Sequence, residues 1–282
     1  MTVNGIKPDF LIIGAMKAGT TTLYDRLLHH PQVGMSREKE TDFFIEQKNW
    51  HRGMEWYQAQ FRPGRLRYGE ASPNYTKREA FPGVPERVAQ TLPDAKFIFL
   101  ARDPVARAVS QYRHAILSGV DLPLPAALPG THHVQHLIDA SAYARQLAPW
   151  LEIFPRDRFL FLQFEEMIHD PAKTLSKLAG FLAIDDVWPT AAAGASNTAE
   201  SLSRLPPWLF RFRNTPAAAA LKRVLPADLK SQLKSRLARG TPRQAPPLGP
   251  QIEALIRDAL QDDSARFAAI SGLELMTKGE HR

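Results

Sequence analysis

A glycine-containing turn near the start of the chain constrains the fold more than any other feature. In residues 11–31, LIIGAMKAGTTTLYDRLLHHP, an apolar run ends at Gly14, and Gly19 follows five residues later, ahead of three threonines and a helical pattern. Such a turn between a strand and a helix presents backbone N–H groups to an anion, aided by the positive end of the helix dipole. The sequence therefore predicts an anion-binding loop on an α/β scaffold.

The loop has the spacing of a nucleotide-triphosphate loop, but its lysine is displaced. Such loops consist of a glycine, four residues, and then Gly-Lys-Ser/Thr. Gly14 and Gly19 have this spacing, and Thr21 takes the Ser/Thr position. Thr20 stands where the lysine belongs, and Lys17 lies inside the loop, where it would meet a shorter ligand from the side. A plain strand-to-helix connection with a surface lysine is the alternative.

Three apolar runs, each followed by a helical pattern, extend the α/β prediction. Continuous apolar runs bounded by polar residues are typical of buried parallel strands, and strands alternating with helices indicate a parallel sheet. We therefore expect a P-loop-like three-layer fold with a central, mainly parallel sheet flanked by helices. The predicted strands cover residues 10–13, 96–101 and 158–164, and the predicted helices cover residues 20–30, 104–117 and 171–182.

The length of 282 residues and the absence of repeats favour a single domain over residues 1–282. We expect a cofactor-binding core at about 9–185 and a basic, helical C-terminal part at about 196–282, which ends in an amphipathic helix over 251–270. The chain has no cysteine, which excludes disulfides, thiolate metal sites and a cysteine nucleophile. No stretch approaches the ~18 consecutive apolar residues of a membrane helix, so we expect a soluble, cytoplasmic protein.

A second cationic element follows the strand predicted to end near residue 101. In the stretch FLARDPVARAVSQYRH, Arg102 comes directly after the strand, and Ser110 lies about two helical turns further on. Ligands bind at the carboxyl ends of parallel strands, so Arg102 suits a phosphate group. Arg107 and Arg113 add charge nearby. The alternative for Arg102 is a local salt bridge with Asp103.

These two stretches together resemble the cofactor signature of the PAPS-dependent sulfotransferases, in particular the branch containing heparan sulfate sulfotransferases and their bacterial relatives. Supporting motifs follow in the family's order: SREKETDFF, RGMEWYQAQF, GEASPNY and LFLQFEEMIHDP. The resemblance covers roughly residues 9–185. It implies transfer of a sulfuryl group from PAPS (3′-phosphoadenosine 5′-phosphosulfate) to a hydroxyl or amine of a carbohydrate or small-molecule acceptor. The product PAP (adenosine 3′,5′-bisphosphate) is released, and no metal takes part.

The resemblance also implies which residues bind the cofactor. The family's 3′-phosphate pair falls on Arg102 and Ser110, and Lys17 takes a catalytic place beside the bridge between phosphate and sulfate. The family's late loop over the 3′-phosphate is not evident; SNTAESLSR, which ends at Arg204, is the candidate replacement. The 5′-phosphosulfate loop falls on Lys17, Ala18, Gly19, Thr20, Thr21 and Thr22.

Glu40, in the motif KETDFF, occupies the position of the family's catalytic base. Glu38 and Asp42 lie two residues to either side. Asp42 is the closer competitor, because residues two apart in an extended segment face the same way; Glu70 comes next. The chain has Asp42 where some relatives carry histidine, and Ala71 where heparan-type enzymes carry lysine, so the acceptor stays open.

Two other functions remain open on these patterns. A P-loop-type small-molecule kinase needs a lysine after Gly19 and an acidic strand end for magnesium, and the chain offers neither clearly. A non-enzymatic nucleic-acid-binding protein would use the basic segment 204–243 and the net charge of +7. We expect no nucleic-acid partner, no metal site and no membrane span, and the pattern does not specify the oligomeric state.

Overall fold

The computed structural model describes residues 5–120, 122–123, 125–189 and 244–275, which form five strands and nine α-helices. The segments 196–204 and 204–243, including Arg204, lie outside the described residues. The strands are β1 (Phe10–Gly14), β2 (Val33–Met35), β3 (Arg67–Ala71), β4 (Lys96–Ala101) and β5 (Phe159–Gln163). The helices are α1 (Thr20–Leu28), α2 (Gly53–Gln58), α3 (Val84–Thr91), α4 (Pro104–Leu117), α5 (His132–Asp139), α6 (Tyr143–Ile153), α7 (Phe164–His169), α8 (Pro171–Leu182) and α9 (Pro250–Ser271).

The strands form one sheet in the order β2-β3-β1-β4-β5, and every neighbouring pair is parallel. This confirms the predicted α/β class. The three predicted strands correspond to β1, β4 and β5, whereas β2 and β3 were missed. β2 has only three residues, and β3 reads RYGEA, with a carboxylate where a buried strand normally has an apolar side chain.

The central position of β1 determines where a ligand can bind. The chain leaves β1 towards β2 and β3 on one side and returns to β4 on the other, so the strand order reverses at β1. Ligands in open α/β sheets bind outside the carboxyl ends of the strands at this reversal. The backbone N–H of Ala15 donates to the carbonyl of Leu100 at 2.8 Å, which holds the turn after β1 against the end of β4.

Two helices begin at the predicted Asp-Pro pairs. Asp103 caps α4 by accepting a hydrogen bond from the Ala106 N–H at 2.6 Å, and Asp170 caps α8 through the Lys173 N–H at 3.1 Å. In each case proline occupies the first helical position, where a missing N–H costs nothing. The described residues form no Arg102–Asp103 ion pair, so this alternative for Arg102 is wrong, and the Asp103 carboxylate acts as the cap of α4.

The last described helix, α9, joins two parts of the core. Phe267 is fully buried in the main core and lies against Phe99, Tyr143 and Phe161. Asp263 accepts hydrogen bonds from the first backbone N–H groups of α6. The amphipathic helix predicted over 251–270 is confirmed. Three residues of α9, Ile252, Ile256 and Leu260, belong to a second cluster, called the α9 cluster. Its other members are Val105, Ala108, Tyr112, Leu128, Val134, Leu137, Ala142 and Leu248.

None of the helices described is both long and apolar enough to cross a membrane.

Candidate functional site

A cleft of about 640 Å³ lies at the carboxyl ends of β1 and β4. It brings together eight of the nine site residues expected from the sequence. The exception is Ala18, which is fully buried beneath the turn. Another cavity, of about 480 Å³, lies at the opposite edge of the sheet and contains none of them. The eight residues that line the cleft are Lys17, Gly19, Thr20, Thr21, Thr22, Glu40, Arg102 and Ser110.

The turn between β1 and α1 has a conformation that depends on Gly19. Gly19 has a φ of 90°, and a Cβ at this position would lie 2.6 Å from the ring of Phe164. Glycine is therefore required both by the left-handed backbone and by the close approach of α7. Because α1 begins at Thr20, the N–H groups of Thr20, Thr21 and Thr22 have no partner within the helix, and all three residues line the cleft.

Arg102 extends from the end of β4 and lies over this turn. Its guanidinium sits 4.8 Å from the centre of the Phe164 ring, and its Nη1 donates to the carbonyl of Lys17 at 3.4 Å. Its Nε is buried and has no hydrogen-bond partner among the described residues. A buried donor without a partner is costly, and an anionic ligand oxygen would satisfy it. Ser110 and Arg113 of α4 line the same wall of the cleft.

Positive charges surround Lys17. Burial lowers the pKa of Lys17 below its ordinary value, and the charges of Arg102, Lys39 and Arg107 lower it further, whereas Glu40 opposes the effect. Such a concentration of cations in a partly buried cleft favours an anion. A bound anion would oppose this lowering of the Lys17 pKa.

Arg107 differs from the sequence prediction, which placed its charge beside the ligand. It is fully buried away from the cleft and donates to Ser141 Oγ at 2.7 Å, Gln111 Oε1 at 2.6 Å and the carbonyl of Leu137 at 2.9 Å. Burial lowers its pKa to about 10. The side chain therefore joins α4 to α5, and Arg113 is the one of the two arginines that reaches the cleft.

Among the candidate bases, Glu40 is the one whose side chain lines the cleft. Its side chain is 44% exposed, and its Oε1 accepts a hydrogen bond from Lys39 Nζ at 2.7 Å. The backbone N–H of Glu40 donates to the carbonyl of Ala71 at 2.9 Å, which ties the segment to the end of β3. The carboxylate thus lines the same cleft as Lys17 while remaining accessible to water.

The expectation that Asp42 faces the same way as Glu40 is wrong, because the segment is not extended. Glu40 and Asp42 have φ values of 64° and 46°, in the left-handed region. The Asp42 carboxylate is buried and is held by Lys48 and by Asn74 Nδ2 at 3.1 and 3.2 Å. Glu38 is exposed outside the cleft.

The cleft also contains residues that the sequence analysis missed. Phe164 and Ile168 lie four residues apart on α7, hence on one helix face, and form an apolar wall. Asn74 lines the cleft beside Glu40. A sequence signal was available for Phe164, because it follows β5 at the same edge of the sheet as Arg102 follows β4.

Within the described ranges, no group of three or more histidine, aspartate or glutamate side chains could hold a metal ion. His132, His133 and His136, which the sequence places near a proline-rich loop, lie on α5. Burial lowers the pKa of His136, and the nearby charges of Lys77 and Arg107 add to this effect.

Comparisons with known proteins give a family match and similar chains. The sequence profile of the sulfotransferase domain family matches residues 7–191. The heparan sulfate glucosamine 3-O-sulfotransferase 3B1 of Mus musculus is 34% identical over 187 residues, or 63% of this chain and 46% of that protein. The bifunctional heparan sulfate N-deacetylase/N-sulfotransferase 1 of Caenorhabditis elegans is 30% identical over 190 residues, or 62% of this chain and 22% of that protein. The chain thus spans less than half the length of these curated relatives.

A solved structure shows that the fold is shared. The crystal structure of a sulfotransferase from Alicyclobacillus acidocaldarius superposes with a TM-score of 0.66 at 21% identity, covering 96% of this chain and 98% of that one.

Proposed function

Because the chain belongs to the sulfotransferase domain family, we propose that it transfers a sulfuryl group from PAPS to a hydroxyl or amine of a carbohydrate acceptor. The observation that carries the proposal is the convergence of the turn after β1, Arg102 and Glu40 on one cleft. A kinase function has no comparable support, because Thr20 occupies the position where a nucleotide-triphosphate loop has its lysine.

The residues of the cleft fit a cofactor with two anionic ends. We assign the 5′-phosphosulfate to the N–H groups and hydroxyls of Thr20, Thr21 and Thr22, with Lys17 beside them, and the 3′-phosphate to Arg102 and Ser110. The buried, unpartnered Nε of Arg102 and the close approach of Gly19 to Phe164 support this fit. When bound, PAPS supplies the sulfuryl group and departs as PAP.

Lys17 has the catalytic place within this arrangement. It carries a positive charge into the turn and stabilises the negative charge that develops there as the sulfuryl group departs. Charged groups that are already in position need little reorganisation during the reaction, so they stabilise the transition state strongly. Removing one donor from an oxyanion hole, a comparable loss, costs about 3–4 kcal/mol.

Glu40 is proposed as the base that takes the acceptor's proton. Its carboxylate lines the cleft, forms an ion pair with Lys39, and is exposed enough to pass the proton to water. Asp42 is a poor alternative, since Lys48 and Asn74 occupy its carboxylate. Positioned bases of this kind contribute roughly 10²–10⁴-fold to a rate.

The acceptor class rests on the curated relatives. Those at 30–34% identity act, by their names, on the glucosamine of heparan sulfate or on heparan sulfate itself. The family match covers residues 7–191, which contain all residues of the cleft. From the names of the curated relatives we infer an acceptor that is an amino sugar or a related carbohydrate.

The test measures cofactor binding and group transfer separately. The purified chain is titrated with PAP and with adenosine 5′-monophosphate, and then incubated with labelled PAPS and a panel of amino sugars. We expect saturable PAP binding that exceeds monophosphate binding, and a sulfated sugar identified by mass. Lys17→Met should lose transfer, whereas the matched control Lys173→Met, on the exposed face of α8, should keep it. The proposal fails if wild-type protein neither prefers PAP nor transfers sulfate, and ATP- and magnesium-dependent phosphorylation would support the kinase alternative instead.

A further inference from the structure

Glu70 is a fully buried carboxyl group beside the segment that carries Glu40, and the proposed reaction does not use it. A buried carboxylate is tolerated only when hydrogen bonds replace its hydration. Here four hydroxyl groups donate to it: Tyr57 at 2.8 Å and Tyr75 at 2.7 Å to Oε1, and Ser72 at 2.9 Å and Thr41 to Oε2.

Three of these hydroxyls also hold the backbone that follows Glu40. Each accepts a hydrogen bond from one successive backbone N–H group. The donors and acceptors are Asp42 N–H to Ser72 Oγ at 3.1 Å, Phe43 N–H to Thr41 Oγ1 at 3.3 Å, and Phe44 N–H to Tyr75 OH at 3.4 Å. Tyr57 has no such second partner in the described part of the chain. Glu70 is therefore linked to residues 42–44 through three hydroxyl groups.

The direction of these bonds depends on the charge of Glu70. A hydroxyl that accepts a backbone N–H directs its own proton elsewhere, and here every proton points to Glu70. An ionised carboxylate has about four acceptor sites and no proton, which matches four donors. Burial raises the pKa of Glu70, and the four donated bonds oppose the effect. Burial also raises the pKa values of Tyr57 and Tyr75, so both tyrosines remain donors.

We propose that Glu70 is a positioning residue for sulfuryl transfer: its carboxylate orients the hydroxyls that hold residues 42–44 and so directs the side chain of Glu40 into the cleft. The inference rests on the proposed function, in which Glu40 is the base. A hydrogen bond at the residue after Glu70 supports the inference, since the carbonyl of Ala71 accepts a hydrogen bond from the backbone N–H of Glu40. Glu70 is fully buried and cannot reach the acceptor, so it is not a candidate for the base.

Glu70→Gln tests the inference directly. The glutamine side chain keeps the shape of glutamate, but its NH2 group replaces an oxygen that accepts hydrogen bonds from two hydroxyls. Donors then face donors, so these two hydroxyls must rotate and lose any hydrogen bond that they accept from a backbone N–H group. Ser72→Ala is a milder variant that releases the Asp42 N–H alone and keeps the test possible if Glu70→Gln does not fold. Tyr57→Phe is the matched control, because it removes one donor to Glu70 that makes no hydrogen bond to the backbone of residues 42–44, and it keeps the ring that packs against Phe43 and Phe44.

The first readout does not require activity. In Glu70→Gln, amide hydrogen exchange should rise about tenfold or more at Phe44, or at Asp42 and Phe43, according to which carboxylate oxygen the amide nitrogen replaces; in Ser72→Ala it should rise at Asp42 alone. In Tyr57→Phe the exchange rates of these amides should not change relative to those of the rest of the sheet. The affinity for PAP should stay within about twofold of wild type in all three variants. Unchanged exchange at residues 42–44 in both test variants would overturn the inference.

The second readout is the rate of transfer with saturating acceptor. Loss of alignment should lower kcat about 10²-fold in Glu70→Gln with little change in KM for PAPS. If Glu70 acts through Glu40, the double variant with Glu40→Gln should be no slower than Glu40→Gln alone. Multiplicative losses would overturn the inference and leave the proposed function standing. A wild-type protein that neither binds PAP nor transfers sulfate would instead overturn the proposed function, and the positioning role with it.

Discussion

Replacing Lys77 should stabilise the protein in a way that depends on pH. Lys77 follows directly on the short 3-10 turn Pro73–Thr76, and its ammonium forms no ion pair with any described residue. Burial lowers its pKa from 10.5 to about 8; the charges of Arg107 and Lys48 add to the effect, and those of Glu40 and Asp42 oppose it. The folded protein therefore binds this proton more weakly than the unfolded chain does.

The size and sign of the effect follow from the two pKa values. The difference between 10.5 and about 8 corresponds to about 3 kcal/mol at 1.36 kcal/mol for each pKa unit. Below pH 8 both states carry the proton, and the folded state bears the full cost. Between pH 8 and 10.5 the unfolded chain keeps the proton that the folded protein has lost, so the contribution of Lys77 to stability rises with pH.

Lys77→Met keeps the length of the side chain and removes its charge. We expect the variant to be more stable than wild type at pH 7 by up to about 3 kcal/mol, and the difference to shrink towards zero as the pH approaches 10.5. The measurement is the urea midpoint of both proteins at pH 7, 8, 9 and 10. The control is Lys173→Met, because hydrogen bonding to Glu166 raises the pKa of Lys173, and its loss should lower stability. A difference that is constant with pH, or a less stable Lys77→Met at pH 7, would refute this reasoning.

Three further variants test the cleft. Lys17→Met should lower kcat by about 10²–10³-fold, as for the loss of one oxyanion donor, with an unfolding midpoint no lower than that of the wild type; a near-normal rate would remove Lys17 from the mechanism. Arg102→Gln should weaken PAP binding about 10–150-fold, since a charged hydrogen bond is worth about 1.5–3 kcal/mol, and calorimetry should show no such loss for adenosine 5′-monophosphate. Glu40→Gln should slow transfer roughly 10²–10⁴-fold, while PAP affinity stays within a few-fold; a larger loss in Asp42→Asn would transfer the role of base to Asp42.

The parts of the fold that were predictable from sequence have local causes. The strands β1, β4 and β5 are continuous apolar runs, and the Asp-Pro pairs before α4 and α8 supply a cap and a fixed φ at the first helical position. Such signals lie within a few residues of the element that they specify. They could therefore be interpreted without knowing which distant residues lie nearby.

β3 could not be predicted for the opposite reason. A carboxylate within RYGEA argues against a buried strand unless its partners are known, and two of the hydroxyls that satisfy Glu70 come from Thr41 and Tyr57, distant in sequence. The parallel pairing of β3 with β1 then places it beside the centre of the sheet. Burial of this strand is a property of the assembled structure.

The candidate site was predictable to the extent that parallel strands bring their carboxyl ends together. This rule joins the turn around Lys17 to Arg102. It does not reach the segment around Glu40, where two non-glycine residues with positive φ turn Glu40 and Asp42 in different directions. Sequence spacing cannot reveal such a conformation, because it depends on hydrogen bonds to β3 and to residues that follow it.

The position of α9 has a consequence for how the chain folds as it is made. The apolar surfaces of α4 and α5 in the α9 cluster leave the ribosome long before Pro250–Ser271 does. Until that helix arrives, these surfaces stay open to water, and exposed apolar surface of this kind attracts chaperones and promotes aggregation. The sheet and the turn after β1 can form earlier, so a nascent chain holds its anion-binding loop before the far side of the protein is closed. Synthesis paused ahead of Pro250 would prolong that exposed state.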